Sequence, residues 1–323
     1  MSTLPLRADA AAAAEAAAGT TVTGSRLAAA RRILASEPQT AVGLAIIAVF
    51  IGVALLAPVI APYSPTTQAG RVYAAPSAAH WLGLDDGGYD VLSNLIYGAR
   101  TSLLVGFVAA LVGIVIGGGV GLLSGYAGGR ADGVLMRATD YFLVIPDIPL
   151  MIVAAAIFGQ NLRNIIIIIG VIYWTSTARL IRAQVKSLRE RTYIKRVQSA
   201  GASHYRVLRY HLVPQVGPLL IANTVLMIAN AVFAETYISF LGLGDPSVIS
   251  WGKMIQDSLT GGAIFYSAWW AILPPGLAVT IVVLGATMAG QGIEDALNPR
   301  LRVGHLAVRR FRLRPLYGDL ERE

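Results

Sequence analysis

The sequence alternates long apolar runs with shorter polar segments, a pattern typical of a chain that crosses a membrane several times. A helix needs about 20 apolar residues to cross the hydrocarbon core of a bilayer. The chain has six apolar runs near this length, and we predict a span at each: residues 42–61, 103–123, 134–158, 165–180, 216–234 and 269–289. The fourth is the shortest and is expected to run through WTSTARL. The predicted fold class is an all-α integral membrane protein with six transmembrane helices.

The composition agrees with this interpretation. Hydrophobic residues make up 55% of the 323 residues and charged residues only 14%, with a mean hydropathy of +0.61, whereas soluble domains carry about 25% charged residues. Apolar runs of this number and length do not fit inside one soluble core. The chain has no cysteine, which excludes disulfides, thiol catalysis and cysteine-bound metals.

The basic residues lie mainly on one side of the predicted spans. Twenty-two of the 26 Lys and Arg residues fall on the side of the two termini, and the other four are Arg71, Arg100, Arg163 and Lys253. Because loops rich in Lys and Arg stay in the cytoplasm, both termini are predicted to be cytoplasmic.

These spans divide the chain into segments. Residues 1–38 are alanine-rich, lack the pattern of a signal peptide, and are predicted to form a flexible cytoplasmic tail. The remaining segments are a first transmembrane helix (39–62), an external segment (63–100), a five-helix core (101–292) with a cytoplasmic loop at 182–214, and a C-terminal cytoplasmic tail (293–323).

The cytoplasmic loop contains KRVQSAGASHYRVLRYHLVP, a basic segment between two apolar runs. Good helix formers continue to Ala200, Gly201 then favours a turn, and Ser203 is a suitable N-cap for a second helix. Pro214 opens the next span. The pattern predicts two short helices on the cytoplasmic face, hinged at Gly201.

This loop resembles the "EAA" loop in the membrane subunits of ABC importers. Gly201 and Pro214 match its glycine and proline at the family separation of thirteen residues, and Tyr193 matches a tyrosine of the peptide importers. The segment differs at the residues that name the motif, where Lys195-Arg196-Val197 replaces Glu-Ala-Ala. The acidic position is therefore inverted in sign.

Three further stretches resemble the peptide and nickel branch of these permeases. They are HWLGLDDGGYDVLSNLIYGARTSL before the second span, ETYISFLGLGDPSVISWGKMI after the fifth, and GIEDALNPRLR in the tail. The first departs from the family pattern at Leu84, Tyr89 and Asn94. The resemblance runs from the first span to about Arg302 and points to the second permease subunit, the dipeptide and oligopeptide "C" type.

The resemblance implies a type I ABC importer permease fold in a bacterial inner or plasma membrane. The implied function is import of short peptides by alternating access, or alternatively of nickel or another small solute. The implied partners are a homologous permease, two ATPase subunits or one fused ATPase, and an extracytoplasmic solute-binding protein, with no nucleic acid. ATP and Mg²⁺ would bind to the ATPases, since this chain has no G-x-x-x-x-G-K-[ST] loop. No catalytic residue, metal site or cofactor is expected on the chain itself.

The resemblance also assigns candidate site residues. Docking of the ATPase is expected at the apex of the loop, whose residues are Lys195, Arg196, Ser199, Ala200, Gly201, Ala202, Ser203 and His204. The small side chains around Gly201 would allow a partner to approach closely. The alternative is an ordinary turn between two surface helices.

Two carboxylates are candidates for the substrate pathway. Asp147 lies within the third predicted span, where an ionisable residue suggests a pathway. Pro146 and Pro149 flank it and predict a break or kink in the helix, so Asp147 could instead satisfy the backbone groups that these prolines free. Glu235, near the outer end of the fifth span, is either a gate or contact for the delivery protein, or an interfacial carboxylate in water.

Other candidate residues have structural interpretations. Gly113, Gly117, Gly121 and Gly125 recur every four residues and predict a helix-packing face. Asp85, Asp86 and Asp90 do not fit a calcium-loop spacing and predict a turn that leads into the second span. The four histidines are too scattered for a metal site.

Two rival functions come from other classes. A secondary transporter coupled through Asp147 would work without ATP or partners and would usually show an internal repeat, which the sequence does not show convincingly. An intramembrane hydrolase needs a nucleophile and a base within reach, and no histidine lies inside a predicted span.

Overall fold

The structure, a computed structural model, describes residues 38–297. These residues form ten α-helices and no strand beyond one isolated bridge between Leu84 and Asp90, which confirms the all-α prediction for this part of the chain. The helices are α1 (Pro38–Ile60), α2 (Val91–Ala127), α3 (Gly129–Val144), α4 (Asp147–Phe158), α5 (Leu162–Arg189), α6 (Thr192–Ser199), α7 (His204–Val207), α8 (Val213–Phe240), α9 (Trp251–Thr260) and α10 (Trp269–Leu297), with a π-helical turn over Leu208–Leu212 between α7 and α8. The predicted N-terminal tail lies outside the described residues, apart from Pro38.

Among residues 38–297, five helices are long and apolar enough to cross a membrane, namely α1, α2, α5, α10 and the segment made of α7, the π-helical turn and α8. The predicted third span, 134–158, is not one helix. It is divided into α3 and α4, which meet at an angle of 87°. The cause is local: Ile145 has the extended conformation that a following proline favours, and Pro146 has no N–H for a helical hydrogen bond.

The helices extend beyond the predicted spans. α2 has 37 residues and is therefore about 55 Å long, compared with about 30 Å for a hydrocarbon core. α5 continues nine residues past the predicted end of the fourth span at Leu180, and α10 continues into the predicted C-terminal tail. Apolar runs indicate the part of a helix that lies in lipid, whereas the helix itself continues for as long as its polar ends are packed or capped.

The glycine face of α2 lies against α5. A Cβ atom added at Gly121 would lie 2.6 Å from the backbone oxygen of Ala178, and one added at Gly125 would lie 2.8 Å from the Cβ of Val185. A Cβ atom added at Gly117 would clash with the backbone oxygen of Trp174, one turn earlier on α5. At Gly113 it would clash first with the Met227 side chain of α8, and the Gly170 oxygen of α5 would lie 3.1 Å away. The two helix backbones therefore meet along four turns without room for a side chain.

The external segment before α2 is held by side chains of the later helices. The Tyr73 hydroxyl donates to the backbone oxygen of Ser258, 3.0 Å away, and the Trp270 indole donates to that of Leu84 at 3.1 Å. Asp90 is the N-cap of α2, and its carboxylate accepts from the Ser93 amide at 2.8 Å. The segment is thus joined to both α9 and α10, as well as leading into α2.

Candidate functional site

The loop between α5 and α8 has the predicted two-helix shape. α6 ends at Ser199, and Gly201 follows with φ of +86°, a conformation that glycine adopts without strain. The Gly201 amide donates to the Gln198 oxygen and the Ala202 amide to the Val197 oxygen, the paired bonds of a Schellman motif. The Ser203 side chain then accepts from the Arg206 amide and caps α7, so both the hinge and the cap are confirmed.

The apex of this loop is open to a partner. No atom lies within 4 Å of a Cβ built on Gly201, so this glycine is required by its backbone conformation rather than by crowding within the chain. Seven of the eight predicted docking residues are exposed, and Ala202 is partly buried. Tyr205, which the sequence reasoning did not select, is also exposed beside the apex.

The base of the loop, in contrast, is anchored in an apolar cluster. Ile194 of α6 and Val207 of α7 are completely buried, and they pack with residues of α5 and α8, including Val185 and Val216. His204 is also tied to the end of α2, because its Nδ1 lies 2.7 Å from the Tyr126 hydroxyl. A displacement of the apex would therefore be carried to α2, α5 and α8.

The inverted charge at Lys195 has a partner within the chain. Its ammonium group lies 2.8 Å from the Glu190 carboxylate, and both side chains are exposed. The hydrogen bond and positive charge of Lys195 hold the pKa of Glu190 below its usual value. Glu190 is the only acid between residues 182 and 214, which is a signal that sequence reasoning overlooked.

A second charged cluster lies where α2, α3 and α5 meet. The Asp132 carboxylate is 7% exposed and accepts from Ser124 Oγ (2.5 Å), Arg182 Nε (2.5 Å) and Nη2 (2.8 Å), and Lys186 Nζ (2.6 Å). Each carboxylate oxygen accepts from two of these four donors, and these hydrogen bonds offset the cost of burying the charge. The cluster joins α3 to the part of α5 that leads into the loop, and the sequence reasoning did not identify it.

Asp147 is the first residue of α4, directly after the break in the third span. Its side chain is exposed, as are Ile145, Pro146 and Ile148 beside it. Within the described residues its carboxylate accepts no hydrogen bond. It therefore does not pair with the backbone groups that Pro146 and Pro149 leave free. Asp147 is thus exposed on the surface of the chain, and its role in a substrate pathway stays a prediction.

Glu235 lies in a different environment. It is 2% exposed, and its carboxylate accepts from Ser102 Oγ of α2 at 3.0 Å and from Ser239 Oγ of α8 at 2.8 Å. Ser102 also accepts from the Trp251 amide at the start of α9. The alternative of an interfacial carboxylate in water is wrong, because the loop after α8 returns over this side chain and buries it. Glu235 and Asp147 share no hydrogen-bonding partner in the part of the chain that the structure describes.

Five apolar helices and a bent helix pair, with an exposed loop at Gly201 anchored between α5 and α8, define a multi-pass membrane protein. Comparison with known proteins identifies its family. The chain belongs to the binding-protein-dependent transport system inner membrane components, whose family model matches residues 113–303. Residues 25–76 match the N-terminal transmembrane domain of oligopeptide transport permease C. The resemblance seen in the sequence motifs is confirmed.

Several relatives are similar over most of the chain. A dipeptide transport system permease protein of Alkalihalophilus pseudofirmus is 37% identical over 264 residues, which are 81% of this chain and 86% of the relative. An oligopeptide transport system permease protein of Bacillus subtilis is 35% identical over 83% of this chain and 87% of its own length. A glutathione transport system permease protein of Pectobacterium atrosepticum is 33% identical, covering 84% and 90%.

Proposed function

We propose that this chain is a permease subunit of an ATP-driven importer of short peptides. The observation that carries the substrate class is its similarity to dipeptide, oligopeptide and glutathione permeases over more than four-fifths of its length. The chain would line one half of a pathway, and a homologous permease would line the other. The exposed face around Asp147 supports this arrangement, since an ionisable side chain at membrane depth is normally found against a partner or a polar path.

The proposed topology has six spans with both termini in the cytoplasm of a bacterial cell. It treats α3 and α4 together as the third crossing, in two parts at an angle of 87°. The distribution of Lys and Arg supports the orientation, because the docking loop is on the side rich in basic residues. The segment at residues 61–90 and helix α9 would then lie on the external side.

Energy would come from ATPase subunits that bind ATP and Mg²⁺ and dock on the Gly201 loop, with no cofactor on this chain. The loop is suited to this role because its apex is exposed while Ile194 and Val207 at its base are completely buried. Closure of the ATPases would push the two short helices, and the apolar cluster beneath them would move the cytoplasmic ends of α5 and α8. This is a rigid-body route to alternating access.

Uptake into proteoliposomes tests this function. The complete complex of this chain, a second permease, the ATPases and the binding protein is expected to accumulate radiolabelled dialanine when ATP is supplied, and this chain alone is expected to accumulate none. Glutathione and Ni²⁺ are offered in parallel to define the substrate. ATP-independent uptake by the chain alone would contradict the proposal and support the secondary transporter.

A Gly201→Ala variant of the complete complex tests the docking loop separately. A side chain at φ of +86° strains the turn by about 1–2 kcal/mol, whereas asparagine tolerates this conformation better. We expect ATP-driven uptake and co-purification of the ATPases to fall in the alanine variant and to be partly retained in Gly201→Asn. Equal activity of all three proteins would show that the turn is not a docking element.

A further inference from the structure

A turn with an apolar tip projects from the molecule between α9 and α10. At its tip Ile264, Phe265 and Tyr266 follow one another and are all exposed, and Phe265 is 92% exposed. Single exposed apolar residues are common on proteins, whereas a contiguous exposed patch usually marks an interaction surface. None of the proposed roles of the chain uses this segment, which we call the apolar turn (residues 261–268).

The apolar turn has a firmly held base. The Tyr73 hydroxyl donates to the backbone oxygen of Ser258, 3.0 Å away, and the ring of Tyr73 lies 5.1 Å from that of Tyr266. Ala263 and Ala268, on either side of the tip, are buried, and the Ala268 amide donates to the Ala263 oxygen at 2.8 Å. The base therefore holds the tip outward and away from the core.

The backbone of the apolar turn forms most of its hydrogen bonds within the turn itself and with the end of α9. Seven of the nine amides from 261 to 269 donate to backbone oxygens, and within the described residues only those of Ile264 and Tyr266 do not. An irregular segment exposed to lipid must have its backbone groups paired, because the hydrocarbon region offers no partner. Water and headgroup oxygens can accept from the two remaining amides. This pattern suits a backbone that lies among headgroups while its side chains reach deeper.

The apolar turn continues into an exposed face of α10. Large apolar side chains recur along this face about once per helical turn, and they are Trp269, Leu273, Leu277, Ile281 and Leu284. The other side of α10 is occupied, because Gly285 lies against Ile46 of α1 and Gly290 against Leu226 of α8. Since α10 is long and apolar enough to cross a membrane, its exposed face is available to lipid along the helix, beginning at the apolar turn.

A groove of about 440 Å³ joins the apolar turn to the first turns of α10. Its walls, which include Ile264 and Leu273, are apolar apart from Ser267. The sequence has no charged residue between Asp257 and Glu294. A face that receives a soluble protein normally has a polar rim. Uncharged walls that continue into the exposed face of a membrane helix suit the acyl chain of a lipid instead.

We infer that the apolar turn inserts into the lipid leaflet in which α10 begins, with the Phe265 ring among the upper acyl chains and Tyr266 and Trp269 among the headgroups. Tyrosine and tryptophan favour that depth because each combines an apolar ring with a hydrogen-bonding group. An acyl chain would lie in the groove against Ile264 and Leu273. In the proposed topology this is the outer leaflet, and the turn would hold α9 at the membrane surface. The inference rests on the inner membrane family of the chain and not on the solute it transports.

Spin labelling measures the depth of the tip, and the cysteine-free chain allows a single label. Phe265→Cys carries a nitroxide in the full chain, reconstituted in phosphatidylcholine vesicles. Its collisions with oxygen, which concentrates in lipid, are compared with its collisions with nickel ethylenediaminediacetate, which stays in water. We expect oxygen collisions to dominate, at a depth of about 5–10 Å into the boundary between headgroups and acyl chains. A label that the nickel complex reaches freely would overturn the inference.

Two exposed positions calibrate this measurement. Leu277→Cys, on the exposed face of α10, should lie deeper than Phe265→Cys. Ala78→Cys, in the segment before α2, should be reached mainly by the nickel complex. The same labels are then measured in the complete complex, assembled with cysteine-free partner subunits. If the label at Phe265→Cys becomes inaccessible to both reagents there, a partner subunit covers the turn and the inference fails.

A label at Ile264→Cys shows whether the Phe265 side chain itself anchors the turn. The label should move towards water in the Phe265→Asp background, because a carboxylate is costly in lipid, and should keep its depth in Phe265→Leu. Both backgrounds should keep the melting temperature in detergent, since Phe265 packs little against the chain. A label that stays in place with Phe265→Asp would contradict the inference.

The lipid composition provides a further check. Because the apolar turn carries no charge, the label at Phe265→Cys should reach the same depth in phosphatidylcholine vesicles and in an equal mixture with phosphatidylglycerol. Insertion only with phosphatidylglycerol would mean that charged residues elsewhere, and not the apolar tip, set the depth, and the inference would be wrong.

Discussion

At the scale of single residues, the charge inversion at Lys195 has a local explanation. The loop carries a lysine where the related importers carry an acid, and Glu190 supplies an acid five residues earlier and 2.8 Å from it. An exposed pair of this kind contributes about 0–1 kcal/mol to stability. Its effect is therefore expected in the charge that the loop presents to its partner, and much less in the stability of the fold.

Exchanging the two charges tests this explanation. Lys195→Glu should weaken co-purification with the ATPases, because it places two carboxylates together at the edge of the apex. The double variant with Glu190→Lys should restore it, since the pair is formed again in reverse. If Lys195→Glu has no effect, docking does not depend on this charge; if the double variant remains as weak as the single one, Lys195 faces an acid on the ATPase instead.

The Asp132 cluster shows how the environment of a carboxylate decides its importance. Asp132 and Asp140 lie on the same helix and both contact arginines, but Asp132 is buried with four donors while Asp140 and its partner Arg179 are more than half exposed. Removing one member of a buried pair leaves the other charges without a partner. Water takes over that role for the exposed pair.

We therefore expect Asp132→Asn to lower the free energy of unfolding by about 2 kcal/mol, less than for a fully buried pair because Lys186 is 44% exposed. The matched variant Asp140→Asn should change it by less than about 1 kcal/mol. Thermal unfolding of the purified protein in detergent measures both. Equal melting temperatures for the two variants would contradict the structural role of the cluster.

At the scale of elements, the contact between α2 and α5 organises the half of the molecule that carries the Gly201 loop. The glycine face of α2 lets the two backbones approach directly, which rigidly links α2 to the helix that leads into the docking loop. Without a strong hydrophobic force between helices in lipid, such close packing supplies much of the attraction. The position of each glycine on the helix therefore matters more than the number of glycines.

Gly121 and Gly119 provide a direct comparison on one helix. A methyl group at Gly121 would lie 2.6 Å from the Ala178 oxygen, whereas nothing lies within 4 Å of a methyl group at Gly119. Gly121→Ala should cost about 1–3 kcal/mol through overpacking. Gly119→Ala should be neutral or stabilising by up to about 1 kcal/mol, since alanine favours the helix. Melting temperatures check this, and equal losses would show that the two faces are equivalent.

At the scale of the whole molecule, the proposed orientation places the Gly201 loop and the segment before α2 on opposite sides of the membrane. An importer of the proposed kind would receive its partners separately, the ATPases from inside and the binding protein from outside. The long helices make this possible, because α2 at about 55 Å connects the external segment at Val91 to Tyr126 beside the docking loop.

The absence of cysteine from the sequence makes the orientation easy to test. Single substitutions Ala78→Cys in the external segment and Ser199→Cys in the docking loop are both at exposed positions. A membrane-impermeant maleimide should label only Ala78→Cys in intact cells, and should label both variants after permeabilisation. Labelling of Ser199→Cys in intact cells would reverse the topology, and with it the proposed faces for the two partners.

Local features of the fold and of the site were predictable from the sequence because local physics decides them. Apolar runs indicate helices in lipid, Gly201 and Ser203 mark a turn and a cap through their own backbone and side-chain preferences, and the motif order indicates the family. The break in the third span was suggested by Pro146 and Pro149, but the sequence did not predict its angle of 87°.

The tertiary structure decided the features that depend on distant residues. Glu235 looked like an interfacial carboxylate, but it is buried because Ser102 of α2 and the chain after α8 converge on it. The Asp132 cluster likewise joins residues that are 50 positions apart. The sequence by itself determined the membrane helices, the shape of the docking loop and the family, whereas burial and charge pairing were decided only when the packed helices brought these distant side chains together.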